Sequence, residues 1–478
     1  MEEEKELRLM SLNKKSFISA TVILLCLMIA TYILTFLLPA GLYDRAETDV
    51  GSVVVAGTYH SVSGGIPFWK WIASPVLVLA AEGGSTIIAI ILFLLVIGGA
   101  FNALDAAGVM RYLLGKLYHR YSGRRYQLLA IISLVFMLMG ALVGSFEEVI
   151  PMVSIATALA YSMGWDALVG MGMSLLSVGF GFATGVCNPF TVGVVQTLAG
   201  LPMFSGIWLR ALSFVVIYPL LLLFLIRYAK KVERDPKKSL VYDESSIARW
   251  NALRVDFTQN EKMEKALRWF VITLACGIAL ILSSAFITVL QDVLMPLIAL
   301  MFLFAGTSSV LVSGYGLKNY LSEFKKGAVT MMPAILLILM ASSVRYTLTE
   351  SNILDTILYK VTALTQGMGP IGVILMIYAL VLLLECFVAS GSAKAFLLMP
   401  LIAPLADLSG VSRQLTVVAY AFGDGFANVL YPTNTVLLIA LGIVGVSYGR
   451  WVRWSGKIQA VILAVTCGLL ILGVAVGY

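Results

Sequence analysis

Apolar runs of about 20 residues recur along this chain of 478 residues, for example at 17–38, 207–226 and 458–477. A helix rises 1.5 Å per residue, so about 20 residues cover the hydrocarbon core of a bilayer. In lipid every backbone group must find its partner within the protein, which leaves helices or a closed barrel. The short alternating strands of a barrel are absent. With 60% hydrophobic and only 12% charged residues, a soluble domain would expose too much apolar surface to water. The chain therefore reads as an all-α polytopic membrane protein. The first run, 17–38, is long for a signal-peptide core and lacks a small-residue cleavage site, so it is read as a retained helix.

Two of the apolar runs carry the same interruption. "GFGFATGVCNPFT" (179–191) and "GDGFANVLYPTNT" (423–435) align without gaps at an offset of 244, and Gly179/Gly423, Gly181/Gly425, Phe182/Phe426, Ala183/Ala427 and Thr191/Thr435 are identical. Pro189 and Pro432 remove backbone donors, and glycines loosen the helix before them. Irregular backbone at membrane depth is tolerated only when buried in protein or lining a wet cavity. A single proline kink would be unremarkable in a spanning helix. A matched pair, each beside a serine-bearing turn, points to a site built from two related halves.

The plan has about nine spanning helices and two re-entrant hairpins. Helices are expected at 17–38, 85–103, a broken third, 207–226, 269–287, 293–312, 331–346, a broken eighth at Pro432-Thr433-Asn434, and 458–477. An outer loop runs to about Gly65, and 66–80 and 352–365 lie at the interface. Amphipathic basic segments fall at 108–125 and 315–327. Hairpin 1 spans 126–163 with its tip at 144–151, and hairpin 2 spans 370–408 with its tip at 388–396. The domains follow: a first repeat at 1–226, a basic cytoplasmic connection at 227–268, a linking helix at 269–291 and a second repeat at 292–478. The odd linking crossing inverts the second repeat. With the N-terminus inside and the C-terminus outside, the inner segments hold 26 of the 33 lysines and arginines, 11 of them in 227–268. The net charge of +7 is thus a topology signal and not a nucleic-acid one.

Ionisable groups inside a membrane are costly unless paired or hydrated, which makes them functional candidates. Tip 1 offers Ser145, Glu147 and Glu148. Tip 2 offers Ser390, Gly391, Ser392 and Lys394, with Glu385 at the turn into it. A structural salt bridge, such as Glu148 with Lys394, is the plainer alternative. Asp424 and Asn428, four residues apart, share a helix face on the approach to the second break. Asn188, Pro189, Thr433 and Asn434 mark the breaks, where half-helix N-termini favour anions and carbonyl ends favour cations. Ser145, Thr184, Asn188, Ser390, Asn434 and Glu385 are the candidates for coupling Na⁺ or protons. Arg345, expected near the level of Asn102, is either a gating residue or an interface-snorkelling arginine.

Five cysteines, all in apolar segments, and two loop histidines give no disulfide framework, zinc site or Ser–His pair. No HExxH occurs, and Asp424 lacks the second placed aspartate of an aspartyl protease. No enzyme, cofactor or metal other than Na⁺ is expected. A membrane sensor without transport remains open, whereas a passive channel would need a continuous polar pore.

The "GSFEE…P" tip, the "CNPF" and "YPTN" breaks and the basic central connection resemble the YfcC / C4-dicarboxylate anaerobic carrier family of the ion transporter superfamily. That resemblance covers nearly the whole chain. It implies a bacterial inner-membrane homodimer in which scaffold helices hold a mobile unit of hairpins and broken helices. It also implies an elevator-type secondary carrier whose tips and breaks bind a small organic ion and a coupling ion. Two substrate classes stay open. Lys394, Ser390, Ser392 and Arg345 suit a C4-dicarboxylate driven by Na⁺ or protons. Glu147, Glu148, Asp424 and Glu385 suit a cationic amino acid, such as arginine exchanged for ornithine, and these acids outnumber the bases by four to two.

Overall fold

The computed structural model describes residues 14–48, 51–81, 83–144, 146–242, 260–284, 294–365 and 367–478. The expected Ser145, residues 243–259 of the basic connection and the later part of the linking helix lie outside them. The protein is mainly helical, as its apolar runs require. Helix α1 (Lys14–Leu37) leads to a segment expected as a plain loop. That segment instead forms two small antiparallel pairs, β1 (Gly41–Leu42) with β4 (His60–Ser61) and β2 (Arg45–Thr48) with β3 (Gly51–Val54). The Val-rich run at 53–55 supplies the β-branched residues that suit such a pairing.

Short helices α2 (Phe68–Ile72) and α3 (Ser74–Leu77) precede α4 (Gly84–Ala106) and the basic α5 (Val109–Tyr121). A first helical hairpin follows, α6 (Arg125–Leu138) with a π turn (Met139–Val143), then α7 (Ile150–Ser162). Next come α8 (Ala167–Met171), a π turn (Gly172–Leu176) and α9 (Ser177–Thr184). Gly185, at φ +50°, stops that helix. The chain resumes at Pro189–Gly193 and α10 (Val194–Leu198) and continues into α11 (Ile207–Arg234).

The second half holds α12 (Glu261–Ser284), α13 (Leu294–Val312), α14 (Leu317–Thr330), α15 (Met332–Glu350) and α16 (Leu354–Leu364). A second hairpin, α17 (Pro370–Glu385) and α18 (Gly391–Leu408), leads to a second broken helix, α19 (Arg413–Asn428) and α20 (Thr435–Val444). The last helix, α21 (Tyr448–Ala475), starts ten residues before the expected position. Arg450 and Arg453 make its first turns look polar, but they share those turns with buried Trp451 and Trp454.

Among the described residues, eight helices are long and apolar enough to cross a membrane. They include 125–143 and 391–408, which the sequence assigns to hairpin arms. The hairpins and broken helices pack in a matched pattern. In each half the first hairpin arm lies on the helix before the break, α6 on α9 and α17 on α19. Across the halves, α10 packs on α18 and α20 packs on α7, while α9 and α19 pack on each other. Helices α12, α13, α14 and α4 pack together beside this core.

The duplicated glycines serve this packing more than helix looseness. A Cβ on Gly425 would stand 2.2 Å from Cα of Ala183, so α9 and α19 cross backbone to backbone. One on Gly181 would stand 1.9 Å from the carbonyl oxygen of Met137 on α6.

Candidate functional site

Each break is finished by an asparagine at the N-terminus of its second half-helix. Asn188 Oδ1 accepts from the amides of Phe190 (2.9 Å) and Thr191 (3.2 Å). Asn434 Oδ1 accepts from Leu437 N at 3.2 Å, and its Nδ2 donates to Asn428 Oδ1 at 2.6 Å. The asparagines expected as substrate or cation ligands therefore spend carbonyl oxygens on capping, because each restarted helix exposes unpaired N–H groups. Ser390 caps α18 in the same way, accepting from Ala393 N at 3.4 Å. Thr184 returns its hydroxyl to Gly181 O at 2.7 Å, the back-bonding open to a buried helical threonine. Buried Thr433 keeps a hydroxyl without a hydrogen-bond partner.

Carbonyls freed by the breaks are held by side chains from the following helix. Arg210 of α11, fully buried, donates Nε to Val186 O at the first break at 3.3 Å, and its Nη2 donates to Phe204 O in the loop before α11 at 3.3 Å. Trp451 of α21 donates to Val429 O at 2.7 Å, and the Tyr448 hydroxyl donates to Leu430 O at 2.8 Å. These supports were missed in the sequence, although "GIWLR" (206–210) and "GRWVR" (449–453) correspond between the halves and carried the signal.

The tips and breaks converge on Asp424, which is fully buried. Lys394 of α18 donates to Asp424 Oδ1 at 2.8 Å. The same ammonium is bonded to Glu385 at the end of α17 and donates to Val388 O at 3.2 Å. Lys394, Glu385 and Asp424 are each at most 1% exposed, so water screens none of these charges. Thr191, just past the first break, donates to Asp424 Oδ2 at 3.4 Å and joins the two halves. Gly391 brings the backbone at the N-terminus of α18 against the Asp424 carboxylate. Tyr420, one turn earlier on α19, donates to Gly391 O at 2.5 Å. Asn428 donates Nδ2 to Asp424 O at 3.1 Å.

Glu147 of the first tip is half-buried. Glu148 is buried and accepts from Phe146 N at 3.0 Å. The alternative pairing of Glu148 with Lys394 is therefore not what forms: Lys394 is taken by Glu385 and Asp424. The first tip also touches its own break. Gly144, at φ +76°, lies against the Asn188 amide, where a Cβ would be 2.1 Å from Oδ1. Ser392 is half-buried beside Lys394, and Pro189 is buried at the start of its half-helix.

Arg345 and Asn102 are placed differently. Asn102 donates to Glu323 O at 2.7 Å, towards the end of α4. Arg345 Nη1 lies by Gly83, immediately before α4 begins, where an added Cβ would be 3.5 Å away. The two residues thus sit at opposite ends of α4 and not at one level.

Comparison with known proteins matches the chain to one family. Relatives include YfcC of Escherichia coli (strain K12), named as a candidate basic amino acid antiporter, at 28% identity over 412 residues, 82% of this chain and 79% of the relative. An uncharacterized protein of Haemophilus influenzae (strain KW20 / Rd) is 28% identical over 400 residues, covering 82% of this chain and 77% of its own. Similar solved structures are the Alcanivorax borkumensis YdaH transporter and Neisseria gonorrhoeae MtrF, an antimetabolite efflux pump by its description. The first has a TM-score of 0.49 and 18% identity and covers 96% of this chain and 99% of its own. The second has a TM-score of 0.45 and 15% identity and covers 94% of each. The model of the C4-dicarboxylate anaerobic carrier family matches residues 17–475, nearly the whole chain, and this multi-pass membrane protein belongs to that transporter family.

Proposed function

We propose that this protein is a secondary carrier that exchanges cationic amino acids, of the arginine and ornithine kind, across a bacterial inner membrane. The observation that carries this reading is the capture of Lys394. A dicarboxylate needs free cationic donors at the site, and the lysine at the second tip has both of its charge partners already. The acids are in excess: Lys394 pairs with Glu385 and Asp424, and among the described residues no lysine or arginine forms an ion pair with Glu147 or Glu148. A guanidinium or ammonium side chain would neutralise Glu147, which is less deeply buried than Glu148. The substrate's own carboxylate would meet the N-terminus of α18 at Gly391 and Ser392, where backbone N–H groups and the helix dipole favour an anion. The name of the Escherichia coli relative supports the same substrate class.

The matched packing of the two hairpin and broken-helix units supports the inverted-repeat plan. We assign these units to the mobile body of an elevator carried by a dimeric scaffold, with α4, α12, α13 and α14 in the scaffold. The reading is tested by thermal unfolding of the purified protein with arginine, ornithine, lysine, succinate, fumarate and malate. A ligand that binds only the folded state raises the melting point by mass action. Stabilisation by the cationic amino acids is expected. Stabilisation by the diacids alone would return the site to the C4-dicarboxylate class that names the family.

A further inference from the structure

Three oxygens surround the Lys394 ammonium: a carboxylate oxygen of Glu385, Oδ1 of Asp424 and the carbonyl of Val388. An ammonium has three N–H donors and no acceptor, so this set satisfies it completely. Two carboxylates and one backbone carbonyl, all on buried residues, are also the ligand set of a hard cation. The three oxygens come from separate pieces: the end of α17, the turn of the second hairpin and the helix before the second break. The lysine that enters among them belongs to the first turn of α18. A cation at this point ties both hairpin arms to the broken helix.

We propose that Lys394 is a tethered cation: its ammonium fills a monovalent-cation site made by Glu385, Asp424 and the Val388 carbonyl, and the carrier works with no Na⁺ bound there. Without the ammonium, two buried carboxylates would face each other unscreened, which is prohibitive unless a positive charge replaces it. With the ammonium present, a second cation would meet a like charge at bonding distance. The site therefore holds one positive charge, and in this chain that charge is covalently attached. The hairpin stays bound to the broken helix without an ion gradient, as an exchanger driven by its own substrates requires. The inference relies on the proposed function only for that last consequence. Its test reads cation binding and not uptake, so either idea can fail alone.

The test is thermal unfolding of the purified full chain while Na⁺ replaces choline at constant ionic strength. Wild type, Lys394→Ala and the double variant Lys394→Ala/Glu385→Gln are compared, and the readout is the difference from wild type, so Na⁺ effects elsewhere cancel. Lys394→Ala should melt well below wild type in choline and recover progressively as Na⁺ rises. The double variant, with one carboxylate neutralised, should lose that Na⁺-dependent recovery. A Lys394→Ala melting point that follows wild type across the titration would overturn the proposal. So would a Lys394→Ala protein that fails to fold even in Na⁺, since the ion is expected to replace the amine. Recovery with Ca²⁺ but not Na⁺ would overturn the monovalent assignment.

Discussion

A methyl group placed on Gly391 would stand 2.7 Å from Oδ2 and 3.1 Å from Oδ1 of Asp424. A flexible carboxylate would swing aside, but Asp424 is held by Lys394 at 2.8 Å and by Thr191 at 3.4 Å. Gly391→Ala must therefore strain either the ion pair or the α18 N-terminus. Overpacking of this kind costs roughly 1–3 kcal/mol. The variant should fold, melt at a lower temperature and bind substrate more weakly. Binding and melting unchanged from wild type would show that the second tip has slack that this packing denies.

The two tip glutamates should separate by role. Glu148 accepts from the Phe146 amide and is buried, whereas Glu147 is half-buried. Glu147→Gln removes the charge proposed to hold the substrate's cationic end. A lost charge-assisted hydrogen bond is worth about 1.5–3 kcal/mol, or roughly 10- to 100-fold in affinity. Glu148→Gln keeps an acceptor for the Phe146 amide and should retain folding. Size-exclusion profiles and arginine binding of both variants check this. Normal arginine uptake by both would contradict the cationic reading.

The crossing of the broken helices leaves no room at Gly425. A Cβ there would lie 2.2 Å from Cα of Ala183, and backbone yields less readily than a side-chain end. Gly425→Ala is expected to cost at least as much as typical core overpacking, roughly 1–3 kcal/mol or more, and to reduce uptake by shifting Asp424, its neighbour in sequence. Thermal unfolding beside uptake would show whether both fall together.

A weaker, pH-dependent contact lies at the start of α12. Its largest cause is the Lys116 ammonium, which donates to Glu264 at 2.5 Å, and the Tyr112 hydroxyl adds a bond at 3.0 Å. Together they hold the Glu264 carboxyl below the ordinary carboxylate range. A depressed carboxyl stabilises the fold above its unfolded-state pKa, and that contribution disappears as pH falls through the folded one. The pair is partly exposed, so its contribution is at most about 1 kcal/mol. Lys116→Met should lower the melting point at neutral pH and narrow the gap from wild type below about pH 4, near the ordinary glutamate pKa. A gap that widens in acid would contradict the assignment.

The membrane class, the two tips and the two breaks were legible because each follows from local chemistry. Length and hydropathy specify helices, and Asn188-Pro189 and Pro432 interrupt them wherever they lie. What escaped depends on residues distant in the chain. Lys394 was read as a substrate ligand, with a salt bridge to Glu148 as the plainer alternative, but its partners are Glu385, nine residues back around a tight turn, and Asp424, thirty residues on. Gly181 and Gly425 read as helix-looseners because nothing local reveals that Met137 O and Ala183 press against them. Asn188 and Asn434 looked like free oxygen ligands, yet a restarted helix needs caps before it can offer ligands. Arg210 escaped for the same reason: its hydrogen bond to the Val186 carbonyl at the first break joins residues 24 apart in the chain.

The central claim, cationic exchange at a site where Lys394 is already neutralised, is tested most directly by counterflow in proteoliposomes. Vesicles loaded with unlabelled ornithine would be diluted into trace labelled arginine, with succinate-loaded vesicles and labelled succinate run in parallel. Transient accumulation of arginine that Glu147→Gln abolishes is the predicted result. Accumulation of succinate without that of arginine would contradict the account and make Lys394 a substrate ligand after all.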